Sequence, residues 1–190
     1  ALPIYPLDKI EEHYKKLKPY ADECGIDIRL GTEYHVASDI VESFKSGRCH
    51  TLADSQYILT EYSSVSEFSF MLNMTKEVIF AGYIPVIAHV ERYGCLVDDP
   101  DNIEELRGMG AFIQVNADAV LGIDGRGAKK YTRLLLKRGL VDFIASDSHG
   151  TKTRACNMKK CYDVVSKKYG KDYADKIMEI NPSKIIYKRN

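Results

Sequence analysis

Short apolar runs of strand length alternate with amphipathic runs of helix length along nearly the whole of the 190-residue chain. No other feature constrains the fold as much. Strands separated by helices do not pair as hairpins; they line up in parallel and the helices cover the faces of the sheet. The strand segments read as residues 26–33, 56–62, 84–90, 111–117 and 142–147, and the helical ones as 7–25, 38–47, 66–81, 100–109, 127–138 and 156–169. Gly25, Gly47, Gly82, Gly110, Gly139 and Gly170 each fall where a helix needs a C-terminal stop. Asp99 stands where a cap is wanted, with Pro100 in the first turn. The length suits one α/β domain, residues 1–190.

The strand endings carry the chemistry. The first ends in Glu33, the second in Glu61, the third in His89 and the fourth in Asn116, while the fifth runs into Asp147 and His149. In a parallel α/β sheet these residues collect at the C-terminal edge, where active sites form. Asp147 and His149 are two positions apart, so an extended chain points both to the same side. Carboxylates closing apolar strands need partners, because burying them unpaired is costly. Two histidines and three carboxylates at one edge suit divalent zinc, manganese or iron, and carboxylates can bridge two such ions. Arg92 and Arg154 follow His89 and His149 by a few residues, and guanidinium groups placed there suit a tetrahedral oxyanion such as phosphate. Glu91 is read as orienting Arg92 or a histidine. Tyr34 and Tyr93 are read as core residues, with the wall of an aromatic cleft as the other reading. His35 is assigned to a loop, and His13 and His50 lie away from the edge.

Several function classes lose support. Equal counts of 27 basic and 27 acidic residues give no electrostatic case for nucleic acid or for a membrane surface. No apolar run reaches the roughly 18–20 residues of a spanning helix. Five cysteines without a C-x-x-C pair suit a reducing compartment, and hence the cytoplasm. The glycine-rich stretch 122–127 lacks the lysine of a P-loop, no cysteine has an arginine six residues on, and there is no G-x-S-x-G elbow. A covalent nucleophile is therefore unsupported.

The segments "GTEYH", "ILTEYS", "VIAHVERYG", "FIQVNA" and "IASDSHGTKTR", in this order and spacing, resemble the PHP (polymerase and histidinol phosphatase) superfamily. Within it they are most similar to the bacterial protein-tyrosine phosphatases of capsular and extracellular polysaccharide regulation, and the likeness extends to "NPSKII" near the end of the chain. The resemblance implies a distorted (β/α)7 TIM-like barrel around a cluster of up to three divalent ions, usually manganese. It implies Glu33, Glu61, His89, Asp147 and His149 as metal ligands, with Arg92 and Arg154 as the catalytic arginines on the phosphate. The implied reaction is phosphotyrosine hydrolysis by a metal-activated hydroxide, and the implied partner is the tyrosine-rich tail of a bacterial tyrosine kinase. The family opens with a D-x-H-x-H element that would precede Ala1, so the chain is expected to be an N-terminally incomplete version of the fold. Two other readings follow: a non-catalytic remnant serving as a binding scaffold, and a phosphatase for a small phosphomonoester such as histidinol phosphate.

Overall fold

The structure is a computed structural model that describes residues 6–187. Five strands form its sheet: β1 (Glu33–His35), β2 (Tyr57–Glu61), β3 (Ile84–Ile87), β4 (Phe112–Asn116) and β5 (Phe143–Ala145). Every neighbouring pair is parallel and the spatial order is the sequence order. That is the order of strands in the wall of a (β/α) barrel. Five strands are present among the described residues, against the seven of the expected closed barrel. β2 alternates buried Ile58 and Thr60 with half-buried neighbours, whereas β4 is buried at four of its five positions. The second pattern is that of a central strand covered on both faces.

Among the described residues ten α-helices accompany the sheet: α1 (Leu7–Glu23), α2 (Ile40–Lys45), α3 (Phe68–Phe80), α4 (Gly94–Asp98), α5 (Asp101–Gly108), α6 (Ala117–Leu121), α7 (Arg126–Arg138), α8 (Met158–Tyr169), α9 (Lys171–Asp175) and α10 (Asn181–Ile186). A π-helical segment, Lys176–Ile180, joins the last two. Helix α7 shows why such a sequence folds this way: Tyr131, Thr132, Leu135 and Leu136 recur at helical spacing and are buried, while its arginines and lysines face out. Gly139, at φ 67°, then ends it in the left-handed region. One hydrophobic cluster extends from Val36 to Ile177 and fully encloses Ile58, Ile87 and Ile113 on the three central strands. No helix among the described residues is long and apolar enough to cross a membrane.

Three expectations need correction. Residues 26–32 are not a strand. The Leu30 carbonyl accepts from Ala53 N–H and Thr32 N–H donates to the His50 carbonyl, so this stretch bonds to a loop and only Glu33 to His35 join the ladder. Residues 88–90 are not strand either, because His89 turns left-handed at φ 35° and leads into a 3-10 turn, Val90–Arg92. Asp99 caps as expected in part: its carboxylate accepts from Asp101 N–H at 3.1 Å, although Pro100 occupies the N-cap position. Helices α4, α6 and the run after Gly170 are additions to the sequence reading.

Candidate metal and phosphate site

Register brings the first three ligand candidates together. Glu33 pairs with Leu59 and His35 with Glu61, so the edge strand β1 sets Glu33 two residues below the end of β2. His89 follows the end of β3 by two residues. Glu33, Glu61 and His89 each offer a ligand atom, and these atoms all lie within 4.8 Å of one another. His89 Nε2 is 3.1 Å from Glu33 Oε1 and 3.4 Å from Glu61 Oε1. His35, read from sequence as a loop residue, ends β1 with its Nδ1 3.6 Å from Glu61 Oε2. The signal was its i+2 relation to Glu33, which puts both side chains on one face.

The other ring nitrogen of His89 is held from behind. Tyr93 is almost fully enclosed; its hydroxyl accepts from Tyr62 N–H at 3.1 Å and lies 3.2 Å from His89 Nδ1. Burial raises the Tyr93 pKa, so the phenol stays protonated. An imidazole anchored through Nδ1 presents Nε2 to the carboxylates, the arrangement that orients a metal-ligating histidine. Tyr93 is thus a core residue with a positioning contact, not a cleft wall. Tyr34 packs on Phe44 and hydrogen-bonds Asp39, also as a structural residue.

Asp147 gathers the second group. Its Oδ2 accepts from Asn116 Nδ2 at 2.9 Å, from Arg92 Nη2 at 2.9 Å and meets Arg154 Nη2 at 2.6 Å. Its Oδ1 has only His149 Nδ1 near it, at 3.6 Å. Burial pushes the Asp147 carboxyl up, but the Asn116 hydrogen bond and the charges of Arg154 and Arg92 outweigh it and hold the group below the usual carboxylate range. His149 is exposed, its Nδ1 2.9 Å from the Asp147 carbonyl. The expected same-side alternation of Asp147 and His149 does not apply, because the chain leaves extended geometry at Asp147, where φ is 46°.

A line of hydrogen bonds joins the two groups. His89 N–H donates to Gln114 Oε1 at 2.6 Å, Gln114 Nε2 to Asn116 Oδ1 at 2.9 Å, and Asn116 Nδ2 to Asp147. Gln114 and Asn116 are buried polar residues two apart in an otherwise apolar strand, and that was their signal in the sequence. Glu91 orients neither Arg92 nor a histidine by hydrogen bonding. Its Oε1 accepts from Asn116 N–H at 3.0 Å, its Oε2 is buried without a partner, and burial pushes its pKa up to about 7.

Backbone strain concentrates here. Of five non-glycine residues at positive φ among the described residues, His89, Asp147 and Arg154 belong to this site. Such conformations cost roughly 1–2 kcal/mol each and persist where surrounding contacts over-determine them. Two carboxylates and an oriented imidazole fit a divalent ion of the zinc, manganese or iron type, with coordination positions left over for other ligands. Asp147 and His149 lie outside that three-residue cluster in this arrangement, the former engaged by both arginines.

Comparison with known proteins identifies the family. The family model described as capsular polysaccharide synthesis, CpsB/CapC, matches residues 5–187. The tyrosine-protein phosphatase CpsB of Streptococcus pneumoniae is 34% identical over 188 residues, which cover 95% of this chain and 77% of that protein. The tyrosine-protein phosphatase YwqE of Bacillus subtilis is 28% identical over 151 residues, or 80% of this chain and 59% of its own length. A chain from the crystal structures of YwqE and CpsB, described as unique metal-dependent tyrosine phosphatases, superposes with a TM-score of 0.83 at 24% identity, covering 93% of this chain and 70% of that one. That superposition establishes a shared fold. With a family model spanning all but a few residues and a relative matched along almost the whole chain, the protein belongs to the CpsB/CapC family of capsular polysaccharide synthesis.

Proposed function

We propose that this chain is a metal-dependent protein-tyrosine phosphatase. Glu33, Glu61 and His89 hold a divalent cation, Asp147 and His149 complete the ligand set, and Arg92 and Arg154 grip the phosphate. The observation that carries this reading is the adjacency of a carboxylate–imidazole cluster to two arginines that converge on one carboxylate oxygen. The relatives' names give the substrate class, a phosphotyrosine.

A divalent ion in this site supplies Lewis acidity and lowers the pKa of water from 15.7 toward about 7. The protein's own groups do the rest. Tyr93 fixes the His89 ring so that Nε2 stays turned to Glu33 and Glu61. Arg92 and Arg154 already present Nη2 atoms to an anionic oxygen, and the same atoms serve the equatorial oxygens of a phosphoryl group as charge builds there. Tyrosine leaves as a phenolate of pKa near ~10, so the reaction depends less on a general acid than an alkyl phosphate would. In its finer form the reading places residues 1–190 as one catalytic domain in the cytoplasm, uses manganese, and acts on the tyrosine-rich tail of a bacterial tyrosine kinase.

The test is to load the chain with manganese, count the retained ions by mass spectrometry, and compare hydrolysis of a phosphotyrosyl peptide with that of a small alkyl phosphate. Metal-dependent cleavage of the peptide, abolished by His89→Ala and Asp147→Ala together with metal retention, is the expected result. Turnover of the alkyl phosphate alone, or turnover indifferent to metal, overturns the reading.

A further inference from the structure

Helix α7 carries Arg126, Lys129, Lys130 and Arg133 at i, i+3, i+4 and i+7, a stripe of four cations on one face. Like charges at these spacings repel and destabilise a helix. Lys129 Nζ donates to the Leu121 carbonyl at 2.9 Å, which offsets part of that cost. Neither these four nor Lys168, on the facing helix α8, makes an ion pair among the described residues, in a chain with as many acids as bases. The charges crowd one another: burial first, then Arg133, Lys129 and Lys137, hold Lys168 below the ordinary lysine range.

The stripe is more than a solvated face, because it borders a cavity of about 340 Å³ between α6, α7 and α8. Val120, Leu121, Leu136 and Val164 line its apolar part, Tyr169 stands beside them, and the five cations and Thr132 make up the rest. No aspartate or glutamate lines it, and it shares no residue with the catalytic edge. An apolar recess inside a ring of cations is complementary to an aromatic group bearing a phosphate. The volume lies at the small end of ligand pockets, fit for one such group.

We infer that this cavity is a second phosphotyrosine site, which holds one phosphorylated side chain of a multiply phosphorylated protein while another is at the catalytic edge. The inference rests on the phosphotyrosine reading of the substrate. Its consequence is avidity: occupying the cavity converts engagement of the catalytic edge into an intramolecular step.

The experiment measures fluorescence anisotropy of tyrosine-phosphorylated peptides on metal-free protein, where no turnover occurs. It uses singly phosphorylated peptides and a series with two phosphotyrosines at increasing separation, on the natural chain and on a Lys130→Glu/Arg133→Glu variant. Both positions are exposed, so the variant keeps its core, and its thermal unfolding checks that. Some separations are expected to bind roughly tenfold tighter than the single phosphotyrosine, with the advantage lost in the variant. Turnover of the singly phosphorylated peptide by the manganese-loaded variant stays at the level of the natural chain. No advantage at any separation, an advantage that survives the variant, or stronger displacement by ATP than by phosphotyrosine overturns the assignment. Because binding is read without catalysis, failure of the chain to hydrolyse any phosphotyrosine sinks the catalytic reading while leaving this one to stand or fall on its own.

Discussion

Two aspartates flank β5, and both meet arginine. Asp142, before the strand, receives Arg107 as a fork: Nε donates to Oδ2 at 3.0 Å and Nη2 to Oδ1 at 2.8 Å, and Ile113 N–H adds a third bond at 3.0 Å. Both of its oxygens are satisfied and its backbone carbonyl accepts from Asn181 as well. Asp147, after the strand, takes Arg92, Arg154 and Asn116 all on Oδ2 and leaves Oδ1 with only a histidine at 3.6 Å. Its φ is 46°, and so is nearly that of Arg154, at 48°. The two residues are similarly shielded, so burial does not separate them. The difference is in how the acceptor capacity is used. A carboxylate with both oxygens bonded in fork geometry is a structural tie. One that is overloaded on one oxygen, open on the other and held by a strained backbone is arranged for an additional ligand.

The largest effect that tests this contrast is Asp147→Asn. Removing the charge is expected to lower kcat/KM on a phosphotyrosyl peptide by on the order of a hundredfold or more, with a smaller loss of unfolding temperature than at Asp142, because Arg92 and Arg154 are nearly half exposed to water. Asp142→Asn should do the reverse. It leaves Arg107 without its charge partner at a site only a third open to solvent, for which roughly 2–4 kcal/mol of stability is expected to go, below the ~3–5 typical of a fully buried pair. At this chain length that is about 5–10 °C in Tm, with kcat/KM at room temperature retained. A swap of these outcomes, Asp142 carrying activity and Asp147 stability, breaks the distinction. Arg92→Lys comes next. A lysine keeps the charge but not the planar fork, so about a tenfold rise in KM is expected with kcat less affected.

The sequence exposed one side of this contrast and hid the other. Asp147 stands out because it ends an apolar run beside a histidine, with an arginine in the following loop; its position at the C-terminal edge follows from strand order alone. Parallel strands and covering helices were legible for the same reason, since periodicity reports burial directly. Asp142 gave no signal, because its partner Arg107 is 35 positions earlier and only the packing of α5 against β4, the neighbour of β5, brings them together. The same holds for Tyr93 behind His89: an aromatic in a buried stretch reads as core, and its hydroxyl's partner is a matter of tertiary geometry. The segment before Glu33 misled by composition. It is apolar and extended enough for a strand, but Leu30 and Thr32 spend their backbone groups on the 50–53 loop rather than on a ladder. Positive φ at His89 and Asp147 was equally invisible: both residue types enter the left-handed region more readily than most, but only in a small fraction of cases.

The smallest effect, and the sharpest probe of how the two halves of the site communicate, is Asn116→Ala. The Asn116 side chain hydrogen-bonds neither the three-residue cluster nor the two arginines among the described residues; it links Gln114, on the backbone of His89, to Asp147. Its loss removes one of three donors from Asp147 Oδ2, and the two arginines keep that carboxylate ionised. It also strips Gln114 Nε2 of an acceptor inside the core, for which about 1–2 kcal/mol of stability is expected to be lost. Residues that orient ligands without binding metal typically affect metal affinity by about tenfold, and that is the expected drop in manganese affinity here. KM for the phosphotyrosyl peptide should stay where it was, because Arg92 and Arg154 are untouched. If Asn116→Ala instead matches Asp147→Asn in lost activity, Asn116 contacts metal or substrate directly, and Asp147 is not the point where the strained edge meets its ligand. If metal affinity does not move at all, the hydrogen-bonded line from His89 to Asp147 is a packing feature, and the two groups act independently.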